Sequence, residues 1–138
     1  MGLDMFLYAS RYYWSEEPRP VTDDGHPIVR AQSEAAYWRK ANAIHQWFVD
    51  NVQDGKDECQ ETEVSREQLQ KLLDLCKEVL TAPEQLGPEL LPTQSGFFFG
   101  STAYDEGYVD DLKATIEQLE KALSAFSDKW DFIYFSSW

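Results

Sequence analysis

A chain of 138 residues with a formal net charge of −13 and a sequence pI near 4.4 excludes several classes of protein. Its 12 Lys and Arg stand against 25 Asp and Glu. The chain therefore lacks the basic excess that readers of nucleic-acid phosphates and electrostatic binders of anionic membranes require. A hydrophobic content of 43% with 14% aromatic residues is globular rather than disordered, and the length predicts a single domain, 1–138.

The N-terminal segment 2–14 is rich in aromatic residues. Within LDMFLY, at 3–8, aliphatic residues alternate with acidic or aromatic ones, and this period of two predicts a strand with one buried and one aromatic face. Residues 15–32 contain three prolines and predict a long connection. The start lacks the basic region of a signal peptide, and no long apolar run predicts a membrane span, so we expect a cytoplasmic protein.

Two helices are predicted next. The first spans 34–52 with Ser33 as its N-cap, because apolar residues recur there at helical spacing. An acidic loop, 53–63, follows it. The second helix spans 66–80, and it begins with an S-x-x-Q capping box at Ser65 and carries an apolar stripe that includes Cys76.

The rest of the chain predicts two strands and a third helix. Prolines at 83, 88 and 92 predict that no helix forms between 81 and 92, and 97–99 is a candidate strand. Thr102 and Asp105 form a T-x-x-D box before a helix that runs to about Phe126, and the aromatic tail 130–138 predicts a last strand paired with the first. The order β-α-α-β-α-β predicts an α+β fold, with three helices on a small, mainly antiparallel sheet formed by the chain ends and the GFFFG segment.

The segment LPTQSGFFFGSTAYD, at 91–105, is the most unusual in the chain, because three phenylalanines lie between Gly96 and Gly100. Two interpretations stay open: a core strand followed by an ordinary helix N-cap, or the floor of a binding site. The first amides of the following helix suit an anion, but Asp105 and Glu106 oppose one. The segment also lacks the G-K-[ST] of a nucleotide P-loop.

A second candidate lies on the predicted first helix. Trp38, Asn42 and His45 fall at i, i+4 and i+7, with Arg39 adjacent, and an indole, an amide and an imidazole suit stacking a planar group and bonding its edge. The alternative is that Trp38 belongs to the core and that His45 is structural. The two Cys and two His lack zinc-site spacing, so we predict no metal and no cofactor.

We therefore expect a pocket between the first helix and the loop 93–105. Its predicted ligand-binding residues are Trp38, Arg39, Asn42, His45, Thr93, Gln94, Ser95, Phe98, Ser101 and Tyr104. On this hypothesis, Trp38→Ala leaves the fold intact and abolishes binding. No catalytic residue is assigned, because the chain has no G-x-S-x-G elbow and no H-E-x-x-H.

Four segments resemble a family of small proteins found in bacteriophages and prophages: MGLDMFLY, YWRKANAIHQWF, the acidic stretch ending in Cys59, and LPTQSGFFFGSTAYDE. The resemblance covers most of the chain except 15–32 and the extreme C-terminus. It implies a setting, a bacterial host cytoplasm, and no mechanism. Host takeover, inhibition of host defence and control of replication are the tasks that this setting favours.

Three functional hypotheses follow. The first is a protein that binds or sequesters a small aromatic or nucleotide-like molecule. The second is an acidic inhibitor of a host protein or a nucleic-acid mimic, motivated by the net charge and by the acidic stretch 50–67. The third is a small enzyme that uses His45 as its acid–base group. A monomer or a homodimer is compatible with all three.

Overall fold

The computed structural model of the protein describes residues 2–96 and 99–138. Within these residues the elements are β1 (Asp4–Tyr12), β2 (Arg30–Arg39), α1 (Asn42–Asn51), β3 (Thr62–Val64), α2 (Arg66–Leu80), α3 (Pro83–Leu90), α4 (Glu106–Ala125) and β4 (Asp131–Ser137). The strands form one antiparallel sheet in the order β2-β1-β4-β3. The α+β class predicted from the sequence is confirmed. No helix in the described part of the chain has the length and apolar character needed to cross a membrane.

Strand β1 shows the predicted alternation between two faces. Met5, Leu7 and Ala9 are buried on the face that we call the inner face, whereas Phe6 and Tyr8 are partly exposed on the outer face. β4 pairs antiparallel with β1 along its whole length, so the predicted pairing of the two terminal strands is confirmed.

The predicted first helix was wrong over its N-terminal third, because residues 34–39 belong to strand β2. Ala36 and Trp38 are buried and Tyr37 and Arg39 are exposed, which is a period of two and not of 3.6. Pairing with β1 stabilises the strand, and this partner is remote in sequence. Helical spacing and strand alternation are hard to distinguish over so few residues.

The chain turns from β2 into α1 at Lys40, whose φ of 55° is left-handed. α1 therefore begins only at Asn42, and its N-cap residue, Ala41, makes no side-chain capping bond. Ser33, the predicted N-cap, lies inside β2 and pairs with Ala9. The helix was predicted to begin at residue 34, and it begins eight residues later, at Asn42.

Two short elements were not predicted. β3 forms at the end of the expected acidic loop and buries Val64 against the sheet. α3 forms in the segment where prolines were expected to prevent a helix. Pro83 occupies the first turn of α3, where a proline is tolerated because the missing N–H has no partner inside the helix.

The helix termini of α2 and α4 follow from local sequence. Ser65 Oγ accepts the N–H of Gln68 and Gln68 Oε1 accepts the N–H of Ser65, both at 3.0 Å, so the predicted capping box of α2 is confirmed. For α4 the N-cap is Asp105, whose carboxylate accepts the N–H of Tyr108 at 3.2 Å. The expected box beginning at Thr102 is corrected, since α4 starts three residues later.

The core lies between the inner face of the sheet and the helices. The Phe48 ring of α1 stacks on Tyr134 of β4 at 3.9 Å, and Trp38 Nε1 donates to Thr115 Oγ1 of α4 at 2.8 Å. Cys76 of α2 is fully buried there, and burial raises the pKa of its thiol to about 12. The expected strand at 97–99 falls mostly outside the described residues, and Phe99 lies outside the four strands.

Candidate functional site

A cleft with aromatic walls lies where α1, the loop 53–61, the loop 91–105 and the end of β4 meet. We call it the Trp138 cleft. Its volume is about 660 Å³. The residues that line it are Gln46, Val49, Gly55, Asp57, Gln94, Ser95, Gly96, Phe99 and Trp138. A mainly apolar concavity of this size with a few convergent polar groups is typical of a small-molecule site.

Asn42 fixes the loop that forms one wall of the cleft. Its side chain is buried at the start of α1, and Nδ2 donates to the carbonyls of Phe99 at 3.0 Å and Ser101 at 2.9 Å. Oδ1 accepts the N–H of Gln94 at 2.9 Å. One buried amide therefore satisfies three backbone groups of the loop and positions both Gln94 and Phe99 at the cleft.

The aromatic walls depend on a glycine. The rings of Phe99 and Trp138 meet edge to face, with centroids 6.0 Å apart and an interplanar angle of 74°. A Cβ at Gly96 would lie 2.7 Å from the Phe99 ring, so any other residue there would displace the ring. The close approach of backbone and ring thus explains the glycine at 96.

A chain of polar groups ends at the Asp57 carboxylate in the cleft. Tyr134 Oη lies 2.6 Å from Nδ1 of His45, and Nε2 of the same ring lies 3.0 Å from Oδ1 of Asp57. The second contact is electrostatic, because Nε2 is not aligned for a hydrogen bond. Trp138 Nε1 donates to the same Oδ1 at 3.0 Å. Asp57 is therefore oriented from two sides.

Burial keeps the proton on the Tyr134 hydroxyl, at the far end of this series of polar groups. The pKa of Tyr134 is raised well above its ordinary value, mainly because the hydroxyl is removed from water and also because Asp57 and Cys59 are near. The hydroxyl therefore keeps its proton at neutral pH, and it forms a neutral hydrogen bond with Nδ1 of His45.

The electrostatics of the Trp138 cleft limit its ligands. Among the described residues that line it, none is Lys or Arg, and Asp57 brings a carboxylate whose side chain is about a quarter exposed. With a net charge of −13 on the whole chain, the cleft opposes a phosphate group. It favours a neutral or cationic molecule that carries N–H donors.

Four of the residues predicted for the site come together at this cleft. Gln94 and Ser95 line it directly. Asn42 and His45 are buried behind its wall and hold the lining groups from there. His45 has no exposed surface, and both of its ring nitrogens face other side chains.

Trp38 and Arg39 are not part of the cleft, because strand β2 replaces the helix on which they were placed. Trp38 is buried in the core and bonded to Thr115. Arg39 lies on the outer face of the sheet, where its guanidinium pairs with Asp4 at 3.0 Å. The expected helical face of Trp38, Asn42 and His45 does not exist.

Thr93, Ser101 and Tyr104 stabilise the loop itself. Thr93 donates its N–H to Tyr104 Oη at 3.1 Å and its hydroxyl to the carbonyl of Thr102 at 2.9 Å. Ser101 Oγ accepts the N–H of Ala103 at 3.1 Å. Phe98, the remaining predicted residue, lies outside the described residues.

Sequence reasoning missed two residues that define the cleft, Asp57 and Trp138. Residues 54 and 55 form an Asp-Gly turn with φ of 57° and 77°, and this dipeptide was a recognisable signal that the acidic loop folds back sharply. No local pattern indicates that the indole of Trp138 meets this loop. The contact arises from the pairing of β4 with β1 and β3.

A larger cleft, of about 880 Å³, lies between α3 and the start of α4. Its lining includes one aromatic residue, Tyr104, and four carboxylates, from Glu84, Asp105, Glu106 and Asp110. In the described part of the chain, no group of three or more His, Cys, Asp and Glu is placed to hold a metal ion. The Trp138 cleft combines two aromatic rings with a carboxylate held from two sides, and it is the better candidate for a small-molecule ligand for that reason.

Comparison of the chain with protein-family models, with curated proteins and with solved structures finds no match. The α+β class rests on the strand order and helices described above.

Proposed function

We propose that the protein binds and sequesters a small planar heterocycle in the Trp138 cleft. The ligand is neutral or cationic, stacks against Phe99 or Trp138, and directs N–H donors toward Asp57. The observation that carries this proposal is the Asp57 carboxylate, held between His45 and Trp138 at 3.0 Å from each, inside a cleft with aromatic walls.

Oδ2 of Asp57 is the atom that accepts hydrogen bonds from the proposed ligand. Oδ1 is occupied by His45 and Trp138, whereas Oδ2 makes no hydrogen bond within residues 2–96 and 99–138. Charge-assisted hydrogen bonds to a fixed carboxylate are about twice as strong as neutral ones. Ring N–H and exocyclic amino groups, side by side as on a nucleobase edge, supply such donors.

The absence of Lys and Arg from the described lining favours a nucleobase or nucleoside over a nucleotide. A phosphate would add repulsion from Asp57 without gaining a cation. The resemblance to phage and prophage proteins supports a role in a bacterial host cytoplasm, where sequestering a nucleoside-like metabolite or signal would alter host processes or defence.

Isothermal titration calorimetry and thermal shift, with guanosine, adenosine, cytidine and uridine as probes beside their 5′-monophosphates, test the proposal. We expect at least one nucleoside to bind and to bind more tightly than its monophosphate. Trp138→Leu should weaken binding while the far-UV circular dichroism stays unchanged. If no nucleoside binds, the proposal is wrong.

A matched pair of variants separates the cleft carboxylate from general charge. Asp57→Asn and Asp54→Asn remove the same charge three residues apart, and Asp54 does not line the cleft. Asp57→Asn should lower the affinity at least tenfold, since a charge-assisted bond contributes about 1.5–3 kcal/mol. Asp54→Asn should leave the affinity within twofold. Equal effects of the two variants would contradict a specific role for Asp57.

A further inference from the structure

The outer face of the sheet carries a cluster of aromatic side chains. Phe6 lies at its centre, stacked with Tyr8 at 5.7 Å and 4°, near Phe135 at 6.1 Å, and tilted against Tyr37 at 5.3 Å. Strand pairing explains the cluster, because Phe6 is opposite Tyr37 on one side and opposite Phe135 on the other. We call these four rings the outer cluster.

The helices leave this face uncovered. The buried apolar side chains of the sheet lie on its inner face, whereas Ser10, which is also buried, lies on the outer face between Tyr8 and Tyr12. Tyr37 is 39% exposed, and beyond Ser10 a second aromatic pair, Tyr12 at the end of β1 and Trp14 after it, stacks at 5.3 Å and is more exposed still. Partly exposed aromatic rings grouped on a face that carries no helix are typical of an interaction site.

Carboxylates border the outer cluster on both sides. Glu34 of β2 pairs with Tyr8, and Glu63 of β3 pairs with Ile133, which itself lies opposite Tyr8. Glu61 and Asp131 join Glu63 around a shallow cavity of about 270 Å³ that also contacts Tyr12 and Ile133. Partial burial and the charges of Glu34 and Glu61 raise the pKa of Tyr8, so both carboxylates act on the ring.

The arginines of this face are committed to neighbours. Arg39 is paired with Asp4 at 3.0 Å. Arg30 donates to Ser10 and Gln32, at 3.2 and 2.7 Å, and lies over the Tyr12 ring at 5.4 Å. Arg30 shows the mode of recognition that this surface offers: a guanidinium on an aromatic ring of β1.

We propose that the outer cluster and its bordering carboxylates dock an arginine-rich, extended segment of another protein. A guanidinium stacks on tyrosine and phenylalanine rings and forms bidentate bonds with carboxylates, so it matches both features of the surface at once. Outward-facing residues recur every second position, roughly 7 Å apart, and an extended partner with arginine at alternate positions has the same repeat.

The same charges disfavour two other occupants. Stacked bases would suit the rings, but nucleic-acid phosphates would lie beside Glu34, Glu61, Glu63 and Asp131. A second copy of the chain would bring an identical acidic border against this one. The outer cluster and its bordering carboxylates share no residue with the lining of the Trp138 cleft. A test of this proposal is therefore independent of the ligand proposed for the cleft.

Fluorescence anisotropy with two labelled peptides, (Arg-Thr)5 and (Lys-Thr)5, tests the proposal on the whole chain. The peptides carry the same charge, and only guanidinium stacks well on the rings. We expect (Arg-Thr)5 to bind at least fivefold more tightly and to weaken as salt is raised. Equal affinity of the two peptides would overturn the role of the rings.

A matched pair of double variants locates the binding. The double variant Glu61→Gln with Glu63→Gln should lower the affinity for (Arg-Thr)5 at least tenfold. Glu78→Gln with Glu117→Gln removes two exposed carboxylates from α2 and α4 and should change the affinity less than twofold. If both double variants weaken binding equally, the attraction is only to the net charge, and the proposal fails.

A ring variant and two further probes complete the test. Tyr8→Thr keeps a residue that favours strands and should abolish the preference for arginine over lysine, with the thermal melt as the check on folding. Labelled oligo-dT that binds to the same face would assign it to single-stranded nucleic acid. Dissociation of a dimer by Tyr8→Thr would assign it to a second copy. Either result would overturn the proposal.

Discussion

The two faces of the sheet carry similar aromatic side chains in opposite surroundings. On the inner face, polar atoms of the rings are bonded within the core, as Trp38 is to Thr115 and Tyr134 to His45. On the outer face, the rings of Phe6 and Tyr8 contact one another beside unburied carboxylates. Alternation along a strand therefore sets which face an aromatic residue occupies. The layer packed on that face decides whether the ring stabilises the fold or remains free for a partner.

Adjacent residues of β2 give the sharpest test of this comparison. Trp38→Ala should lower the free energy of unfolding by about 3–5 kcal/mol, because it leaves a cavity and removes the partner of Thr115. Tyr37→Ala, one residue away on the outer face, should cost about 1 kcal/mol or less. Urea denaturation of both variants measures the difference. Similar costs would show that the two faces of the sheet do not differ in how much their aromatic residues stabilise the fold.

The wall of the Trp138 cleft depends on a buried amide rather than on apolar packing. Asn42→Ala should lower the free energy of unfolding by about 2–3 kcal/mol, because three backbone groups lose the hydrogen-bond partner that the Asn42 side chain supplies. Amide hydrogen exchange at Gln94 should quicken more than in the core of α2. Asn51→Ala is the control, since the side chain of Asn51 is exposed and, among the described residues, makes a single hydrogen bond, to the carbonyl of Trp47. Equal stability of the two variants would contradict this assignment.

A third comparison concerns how stability depends on pH. It sets the carboxylate of Asp111, in the helical layer, beside the exposed carboxylates of the outer face. Burial, with the charges of Asp110 and Asp105, raises the pKa of Asp111 from 3.8 to about 6. Between these values the folded state keeps a proton that the unfolded state has lost, so stability falls as pH rises from about 4 to 6.

Asp111→Asn should therefore raise the melting temperature by a few degrees at pH 8 and leave it nearly unchanged at pH 4. The exposed outer-face carboxylate of Glu63 is the comparison, and Glu63→Gln should change the melting temperature little at either pH. Thermal melts at pH 4, 6 and 8 check both variants. An Asp111→Asn gain that is the same at all three pH values would refute the protonation argument.

The smallest effect is expected on the outer face itself. Tyr8→Thr should change the free energy of unfolding by less than about 1 kcal/mol, because the ring loses cross-strand contacts without opening a buried cavity. Urea denaturation measures it. A cost close to that of Trp38→Ala would mean that the outer cluster is part of the core, and the comparison between the faces would break down.

Most of what the sequence predicted correctly was local, and the pairing of β4 with β1 is the exception. The capping box at Ser65 and the apolar stripe behind it define α2 within a few residues, and the alternation in β1 defines its faces. β2 was missed because the apolar residues of 34–39 fit helical spacing as well as strand alternation, and only the pairing with β1 decides between them. Only part of the cleft lining was predicted. Gln94 and Ser95 were predicted because they lie in an unusual segment. Asp57 was not, because its contact with Trp138 forms only when β4 pairs with β1 and β3.

The two cysteines provide a built-in measure of how the molecule opens. Cys76 lies in the core with a protonated thiol at neutral pH, so a thiol reagent reaches it only when the helical layer separates from the sheet. Cys59 is only partly buried, two residues from Asp57. A dye placed on Cys59 would report events near the cleft, while the slow labelling of Cys76 would time the rarer opening of the whole domain in the same sample.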